Sequence, residues 1–233
     1  MSKVLFFDIE TAPNMSYVWG QWQQDVIEHV DEWYILCFSY KWEDHKSTHV
    51  VALKDFELYD NDPGNDLQVV KKLWELLDEA DIVIGHNSDA FDIKKANARF
   101  VYHGLGPPSH YQTVDTLKMA RRHFKFNSNR LGHLGEHLGL GGKEATGGFE
   151  TWAGCMNGDA KAWSVMKKYA KQDVDLLVDV YERLRPWATN HPNRNVIDET
   201  SHACPTCGSN KLQKRGKRVT RTMTYQTYQC QRC

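Results

Sequence analysis

Two acidic residues near the start of the chain, Asp8 and Glu10, lie two positions apart in the apolar segment VLFFDIET. A short apolar run predicts a buried β-strand, and side chains two apart in a strand project from the same face. Neighbouring carboxylates repel and are costly to bury unless a cation neutralises them, and oxygen ligands suit Mg²⁺ or Mn²⁺. The pair therefore predicts a divalent-cation site; two acids at a solvent-exposed strand end are the alternative.

A second acidic group follows a later strand, in the segment IGHNSDAFDIKK. Its Asp92 is predicted on the first turns of a helix, open to a cleft above the sheet, and His86 and Asn87 flank that cleft. These two side chains could hydrogen-bond a substrate or order the loop. An acid near a helix N-terminus is also favoured by the helix dipole alone, which leaves a purely structural role open for Asp92.

The third group is Tyr169 and Asp173, four residues apart and hence on one face of a predicted helix. Asp173 interrupts an apolar stripe, and metal ligation supplies a reason for an acid at that place. Tyr169 could orient or help deprotonate an attacking water; a half-buried aromatic ring with its hydroxyl in water is the alternative. Asp175 is predicted at the surface.

The end of the chain contains two Cys-x-x-C pairs, 204–207 and 230–233. Four thiolates in this arrangement predict a tetrahedral zinc site in a small ribbon, and four protein ligands leave no open position, so the ion would be structural. The other two cysteines lie far apart, which favours a reduced compartment over a disulfide framework. The predicted zinc ligands are Cys204, Cys207, Cys230 and Cys233.

The same terminal segment is strongly basic. Residues 201–233 contain seven Lys and Arg and no Asp or Glu, which leaves a net charge of −8 on residues 1–200. An acidic body with a basic tail predicts contact with a polyanion. Together with Tyr225 and Tyr228 the tail suits a clamp on the nucleic-acid backbone, or alternatively a docking module for a polymerase or helicase.

Periodicity predicts strands and helices in an order typical of an α/β or α+β sandwich, with helices covering a mixed sheet. Asp66 and Ser88 are predicted as helix N-caps, and Tyr17, Trp19 and Trp22 as core residues rather than base-stacking platforms. The predicted strands are 4–9, 32–42, 48–53 and 81–85. The predicted helices begin at 66, 89, 130 and 159, and residues 113–124 are predicted to start extended and become helical. A glycine-rich surface loop covers 139–158 and a linker 188–201.

Bulk composition is that of a globular protein, with 233 residues, 41% hydrophobic and 25% charged. No apolar run approaches the ~20 residues that a membrane-spanning helix needs, and the first residues do not have the layout of a secretory signal. We expect a cytoplasmic protein with no membrane association.

Taken in order, the three acidic groups resemble the exonuclease motifs of the DEDD superfamily, in its DEDDy subclass. Asp8 and Glu10 match D-x-E, the segment from Asn87 to Asp92 matches the second motif, and Tyr169 with Asp173 matches Y-x-x-x-D. The resemblance covers about residues 3–187. It implies a ribonuclease H-like exonuclease domain over 1–187, followed by the linker and a zinc ribbon over 202–233.

The resemblance also implies the chemistry: hydrolysis with two Mg²⁺ or Mn²⁺ ions that clamp the attacking and leaving oxygens. By analogy Asp8 bridges both ions, Glu10 and Asp173 complete one, and Asp92 supports the other. Tyr169 positions the attacking water. The backbone around Glu10 and Thr11 holds the terminal 3′-OH, a substrate-binding role that would extend to His86 and Asn87.

The resulting expectation is a 3′→5′ exonuclease acting on nucleic acid with a free 3′ end, with single-stranded DNA favoured. A 3′→5′ exoribonuclease is the sister hypothesis. A proofreading subunit docked on a replication or repair protein through the ribbon is another. A non-catalytic adaptor is disfavoured because a lost activity leaves no reason to keep four converging carboxylates.

Overall fold

A five-stranded mixed sheet forms the centre of the protein, seen in a computed structural model that describes residues 2–142, 147–200 and 202–233. The strands in chain order are β1 (Val4–Thr11), β2 (Met15–Tyr17), β3 (Glu28–Asp31), β4 (Ile35–Trp42), β5 (His49–Ala52), β6 (Ile82–Gly85), β7 (Gln112–Asp115), β8 (Leu212–Val219) and β9 (Thr224–Cys230). The central sheet has the order β5-β4-β1-β6-β7, in which β1 pairs antiparallel with β4 and parallel with β6. β1 is therefore the middle strand.

Helices cover this sheet. They are α1 (Leu67–Glu79), α2 (Asp92–Tyr102), α3 (Thr116–His123), α4 (Leu131–His137), α5 (Phe149–Met156), α6 (Ala160–Leu184) and α7 (Arg194–Ile197). Alternation along β1 divides the core into two layers. Leu5 and Phe7 pack in a cluster with α1, whereas Val4 and Phe6 pack in a cluster with α3, α4 and the second half of α6. The mixed α/β architecture predicted from the element order is confirmed.

Several local expectations are confirmed as well. β4 and β5 form the predicted antiparallel hairpin, and the apolar stripe predicted for α1, which is Val69, Val70, Leu73, Leu76 and Leu77, is buried. α6 begins at the predicted place, where the Asp159 carboxylate accepts hydrogen bonds from the N–H groups of Lys161 and Ala162. Because these features depend on spacing within one segment, they can be recognised from sequence.

Of the two predicted N-caps, Asp66 occupies the predicted position without making the capping bond, and Ser88 is wrong. Asp66 stands at the N-cap position of α1, but its side chain makes no capping bond there. Its fully buried carboxylate instead accepts hydrogen bonds from Arg99, His103 and the N–H of Ile35. α2 begins at Asp92, three residues later than the predicted start, so Ser88 lies outside it. For Asp66, hydrogen bonds to residues distant in sequence take the place of the local capping bond.

The predicted loop over 139–158 is also corrected, because residues 149–156 form α5. Its buried Thr151 and Cys155 pack towards the core. Because this segment is rich in glycine, its composition predicted a loop and not a short helix. Residues 143–146 of that loop lie outside the described residues.

A separate hairpin of β2 and β3 was missed, and the core assignment of its aromatic residues is wrong. Trp19 is 80% exposed, Trp22 90% and Tyr17 62%. The hairpin pairs only with itself, so nothing in the described part of the chain covers these rings.

Beyond α6, the segment predicted as a linker includes the short helix α7, and β8 and β9 then form an antiparallel ribbon. Residue 201, the end of that predicted linker, is outside the described residues. Among the helices that are described, none is long and apolar enough to cross a bilayer.

Candidate functional site

Three of the four predicted metal-binding carboxylates converge at one point. A carboxylate oxygen from each of Asp8, Glu10 and Asp173 lies within 4.8 Å of the others. Asp8 and Glu10 project from the same face of the central strand β1, and Asp173 comes from α6, which packs against that face. Asp173 is 3% exposed, so an anionic cluster here requires a compensating positive charge.

A buried hydrogen bond fixes α6 over β1 at this level. Ser39 of β4 is the register partner of Asp8. Its hydroxyl donates to the carbonyl oxygen of Ala170 over 2.7 Å, and the Ser39 side chain is fully buried. Ala170 is the neighbour of Tyr169 and lies about one turn before Asp173. Ser39 therefore positions the helix that supplies the third carboxylate, a role that no sequence pattern indicated.

The fourth predicted ligand, Asp92, lines the same cleft but is not part of the three-carboxylate cluster. Its Oδ1 accepts a hydrogen bond from the N–H of Ile9, 3.0 Å away, and the residue is 3% exposed. Burial raises the pKa of Asp92 to about 7; the nearby Asp115 carboxylate also raises it, and the Ile9 N–H opposes the shift. Asp92 is thus hydrogen-bonded to the backbone of Ile9, the residue between Asp8 and Glu10.

Tyr169 lies beside Asp173 on α6 and hydrogen-bonds to it. Burial raises the pKa of Tyr169 far above its ordinary value, and the neighbouring carboxylates of Asp173 and Glu10 raise it further. The phenol therefore stays protonated at neutral pH. The edge of Trp152, on the unpredicted helix α5, packs against the Tyr169 ring with centroids 6.0 Å apart.

The loop after β6 carries His86 and Asn87, and its shape depends on α3. The Asn87 N–H donates to Asp115 Oδ1 over 2.9 Å, and Asn87 has a positive φ of 65°, which asparagine tolerates better than most residues. The His86 ring lies between the Thr116 hydroxyl at 2.8 Å and the Asn129 carbonyl at 2.9 Å. Because a carbonyl only accepts, the ring nitrogen facing Asn129 carries hydrogen. Both ring nitrogens thus order the loop.

The acidic cluster opens into a cleft of about 800 Å³. Besides the predicted residues, the cleft is lined by Phe91, Arg121, Arg130 and His133. Arg121 comes from α3, His133 from α4, and Arg130 from the turn between these two helices. In the sequence, the adjacent Arg121 and Arg122 could have indicated positive charge at this place. Basic residues are common at helix C-termini, however, because they interact favourably with the helix dipole.

Thr11, predicted to lie near the 3′-OH, ends β1 next to the cluster but borders a different, smaller pocket of about 440 Å³. Trp33, Lys95 and Trp152 also line this pocket. The Lys95 ammonium lies 3.5 Å from the centre of the Trp33 ring, a cation–π contact. Partial burial lowers the pKa of Lys95.

The four terminal cysteines form a second cluster, with their sulfur atoms within 4.8 Å of one another. The sulfur atoms of Cys204 and Cys233 are 3.6 Å apart, as are those of Cys207 and Cys230. Disulfide sulfurs would be about 2.05 Å apart. Zinc–sulfur bonds of ~2.3 Å put the sulfurs of a tetrahedral site roughly 3.8 Å apart. The cluster is therefore consistent with a zinc ribbon.

A comparison with known protein families identifies the superfamily in which this arrangement occurs. Residues 5–185 match the RNase_H_2 model of the RNase_H superfamily. The chain belongs to the RNase H superfamily. The match spans the RNase H-like sheet and all three acidic segments, and it ends where α6 ends. Membership in the RNase H superfamily and the acidic cluster together support a nuclease, a hydrolase that uses divalent metal ions.

Solved structures show the same RNase H-like fold. The family B DNA polymerase from the hyperthermophilic archaeon Pyrobaculum calidifontis superposes with a TM-score of 0.60 and 17% sequence identity, over 80% of this chain and 25% of the polymerase. The chain thus corresponds to about a quarter of that protein's length, and at this identity the likeness concerns the fold. No curated protein matches the sequence.

Proposed function

We propose that the protein is a metal-dependent 3′→5′ exonuclease that removes nucleotides from nucleic acid, with single-stranded DNA as the favoured substrate. The observation that carries the proposal is the convergence of Asp8, Glu10 and Asp173 within 4.8 Å, at the floor of a cleft. Carboxylates from two different elements that lie this close repel one another, and bound cations would neutralise them.

The chemistry of the donor set fits two Mg²⁺ or Mn²⁺ ions. Asp8, Glu10 and Asp173 would hold them, and Asp92, which lines the same cleft, would support one of them. Bound cations of this kind supply a more acidic water and neutralise the charge that develops on the phosphate. Asp92 additionally holds the backbone of β1 in place through Ile9.

Tyr169 has a positioning role in this proposal. Since burial and neighbouring carboxylates keep its phenol protonated, it donates a hydrogen bond and does not act as a base at neutral pH. Its contacts with Asp173 and Trp152 hold the hydroxyl at the edge of the acidic cluster. It would orient the attacking water.

The remaining cleft residues suit a phosphate-bearing substrate. Arg121 and Arg130 offer positive charge to the strand, and the ordered loop of His86 and Asn87 shapes the wall beside the cluster. Attack from the 3′ end rests on the resemblance of the motifs, with the backbone at Thr11 as the contact for the 3′-OH. The similar solved structure is a DNA polymerase, which favours DNA over RNA.

We assign residues 202–233 as a zinc ribbon that follows the exonuclease domain of residues 1–187. The spacing of the four cysteine sulfurs supports one structural Zn²⁺. A reduced, cytoplasmic setting is proposed with it, because free thiolates are required. The partner would be nucleic acid, or a replication or repair protein that docks on the ribbon.

The test is hydrolysis of end-labelled oligonucleotides. The wild-type chain should release mononucleotides from the 3′ end only when Mg²⁺ or Mn²⁺ is present, and Asp8→Ala or Asp173→Ala should reduce the rate by more than about a thousandfold. Asp44→Ala, at an exposed acid outside the cleft, is the matched control and should leave the rate unchanged.

Full activity in either cluster variant would overturn the assignment of the site. Rapid internal cutting of a circular single strand would show an endonuclease instead. Matched DNA and RNA strands, single- and double-stranded, with products resolved by length, decide the substrate.

A further inference from the structure

The cysteine ribbon is fastened to the rest of the protein by one buried arginine, Arg194 of α7, which is 4% exposed. Its Nε donates to the Ser2 hydroxyl over 3.0 Å, and its Nη1 lies 2.8 Å from the Glu43 carboxylate. Its backbone N–H donates to the carbonyl of Pro205 over 2.8 Å, inside the first Cys-x-x-C turn. One residue thus joins the start of the chain, the end of β4 and the ribbon.

Further contacts reinforce this anchor. The side-chain amide of Asn195 donates to the Ala203 carbonyl over 2.7 Å. Cys204 and Cys207 are 5% and 4% exposed, so both cysteines of the first pair are buried. The base of the ribbon is therefore held in a defined place on the nuclease fold.

That place is at the end of the sheet opposite the acidic cluster. Ser2 precedes Asp8 by six residues along an extended segment, about 20 Å at ~3.3 Å per residue. Arg185, which lies against the same Glu43, follows Asp173 by twelve residues along α6, about 18 Å at ~1.5 Å per residue. The path along β1 and the path along α6 both place the anchor of the ribbon about 20 Å from the acidic cluster.

The surface of the ribbon suits a single nucleic-acid strand. Its strands carry exposed Lys and Arg and no acidic residue. In the β8–β9 register Lys214 lies opposite Tyr228 and Arg218 opposite Tyr225, and both tyrosines are about half exposed. Directly opposite residues share a face, so each ring is paired with a cation. Because Tyr225 and Tyr228 are three residues apart in β9, one such pair lies on each face of the ribbon. In such pairs the ring can stack on a base and the cation can neutralise a phosphate. An acidic protein partner would not require the aromatic rings.

We propose that the ribbon, whose base is anchored about 20 Å from the catalytic cluster, is a second nucleic-acid site, so that the protein binds long strands more tightly than short ones. In a stacked strand each nucleotide adds ~3.4 Å, so at least about six nucleotides are needed to span the gap. Shorter strands occupy one site at a time, whereas longer strands occupy both sites together. The inference rests on the proposed nuclease function for the identity of the cleft's ligand.

The test uses the full chain carrying Asp8→Ala, so that no strand is degraded, and measures binding of labelled single-stranded DNA from about four to about twenty nucleotides by fluorescence anisotropy. We expect affinity to rise about tenfold or more once the strand exceeds the spanning length. Adding Lys214→Gln and Arg218→Gln, which removes the paired cation on both faces, should remove this rise, change the affinity for four-nucleotide strands far less, and lower the salt slope by at least about 0.7.

Lys54→Gln with Lys71→Gln, two exposed lysines outside the ribbon, is the matched control and should keep the rise. A length dependence that survives in the ribbon variant, or an equal loss of affinity at every length, would refute the second site and point to a protein ligand for the ribbon. The nuclease proposal is tested separately by wild-type hydrolysis. A chain that shows the length step without hydrolysis would fail that proposal alone.

Discussion

At the scale of single residues, the two buried carboxylates of the cleft have different tasks. Asp173 belongs to the close cluster with Asp8 and Glu10, whereas Asp92 accepts a hydrogen bond from the backbone of β1. Asp92 is also the one whose pKa burial raises to about 7. In its neutral form it can hold β1 without adding a further negative charge to the cleft.

This predicts an unusual pH dependence of stability. A carboxyl whose pKa is raised in the folded state keeps a proton that the unfolded chain releases, so its contribution to stability falls as pH rises from about 4 to about 7. Asp92→Asn removes the ionisation and keeps the acceptor for Ile9. In buffer free of Mg²⁺ and Mn²⁺ we expect it to raise the free energy of unfolding at pH 8 by on the order of 2 to 4 kcal/mol, with little gain near pH 4.

Urea denaturation across that pH range measures the effect. Asp44→Asn, at an exposed carboxyl, is the control and should show no gain at any pH. A variant Asp92→Asn that is no more stable than wild type at pH 8 would contradict the raised pKa.

At the scale of elements, the site depends on how α6 lies across the sheet. Its middle brings Tyr169 and Asp173 to β1, and its C-terminal part packs Tyr181 edge-on against Phe6, with ring centroids 5.4 Å apart. The Ser39 hydrogen bond to Ala170 holds the middle region, because Ala170 lies between Tyr169 and Asp173. A small shift of the helix would separate Asp173 from Asp8.

Ser39→Ala should therefore affect activity more than stability. Losing one buried hydrogen bond costs about 1 to 2 kcal/mol of folding free energy. Misplacing a metal-binding carboxylate should raise the Mg²⁺ concentration needed for half-maximal hydrolysis by on the order of tenfold. Metal titrations and thermal melts of the two proteins give both quantities.

Ser47→Ala, at an exposed position in the turn after β4, is the matched control and should change neither quantity. If Ser39→Ala lowers the melting temperature while the Mg²⁺ requirement stays the same, Ser39 has only a packing role.

At the scale of the whole molecule, the acidic cluster and the cysteine ribbon lie at opposite ends of the sheet. The acidic cluster occupies the end where β1 finishes, and the cysteine ribbon is fastened to the end where β1 begins. The hydrophobic clusters that surround the sheet contain none of the four ribbon cysteines. The ribbon's stability should hence depend on its metal, and the stability of the nuclease fold should not.

We therefore expect one zinc ion per purified chain, measured by elemental analysis. Cys207→Ser or Cys230→Ser should lose most of this zinc and the ordered ribbon, while the main thermal transition of the sheet and helices remains. Cys155→Ala, at a buried cysteine of the core cluster, should lower that main transition and keep the zinc. A wild-type chain without zinc, or undiminished zinc in the ribbon variants, would refute the metal site.

The sequence alone determined the features that depend on spacing within one segment. Alternation along β1 put Asp8 and Glu10 on one face, and the four-residue spacing in α6 put Tyr169 and Asp173 together. Buried runs and helical periods also indicated the mixed sheet and its covering helices. These patterns are local, because a strand or helix imposes its period whatever it packs against.

Only the tertiary structure decided which surfaces meet. It brought α6 to β1, and it buried Asp92 enough to raise its pKa. It left Trp22 in solvent, although its size predicted a core position. It placed the ribbon at the far end of the sheet through Arg194. Burial and electrostatic coupling depend on neighbours distant in sequence, so no local pattern contains them.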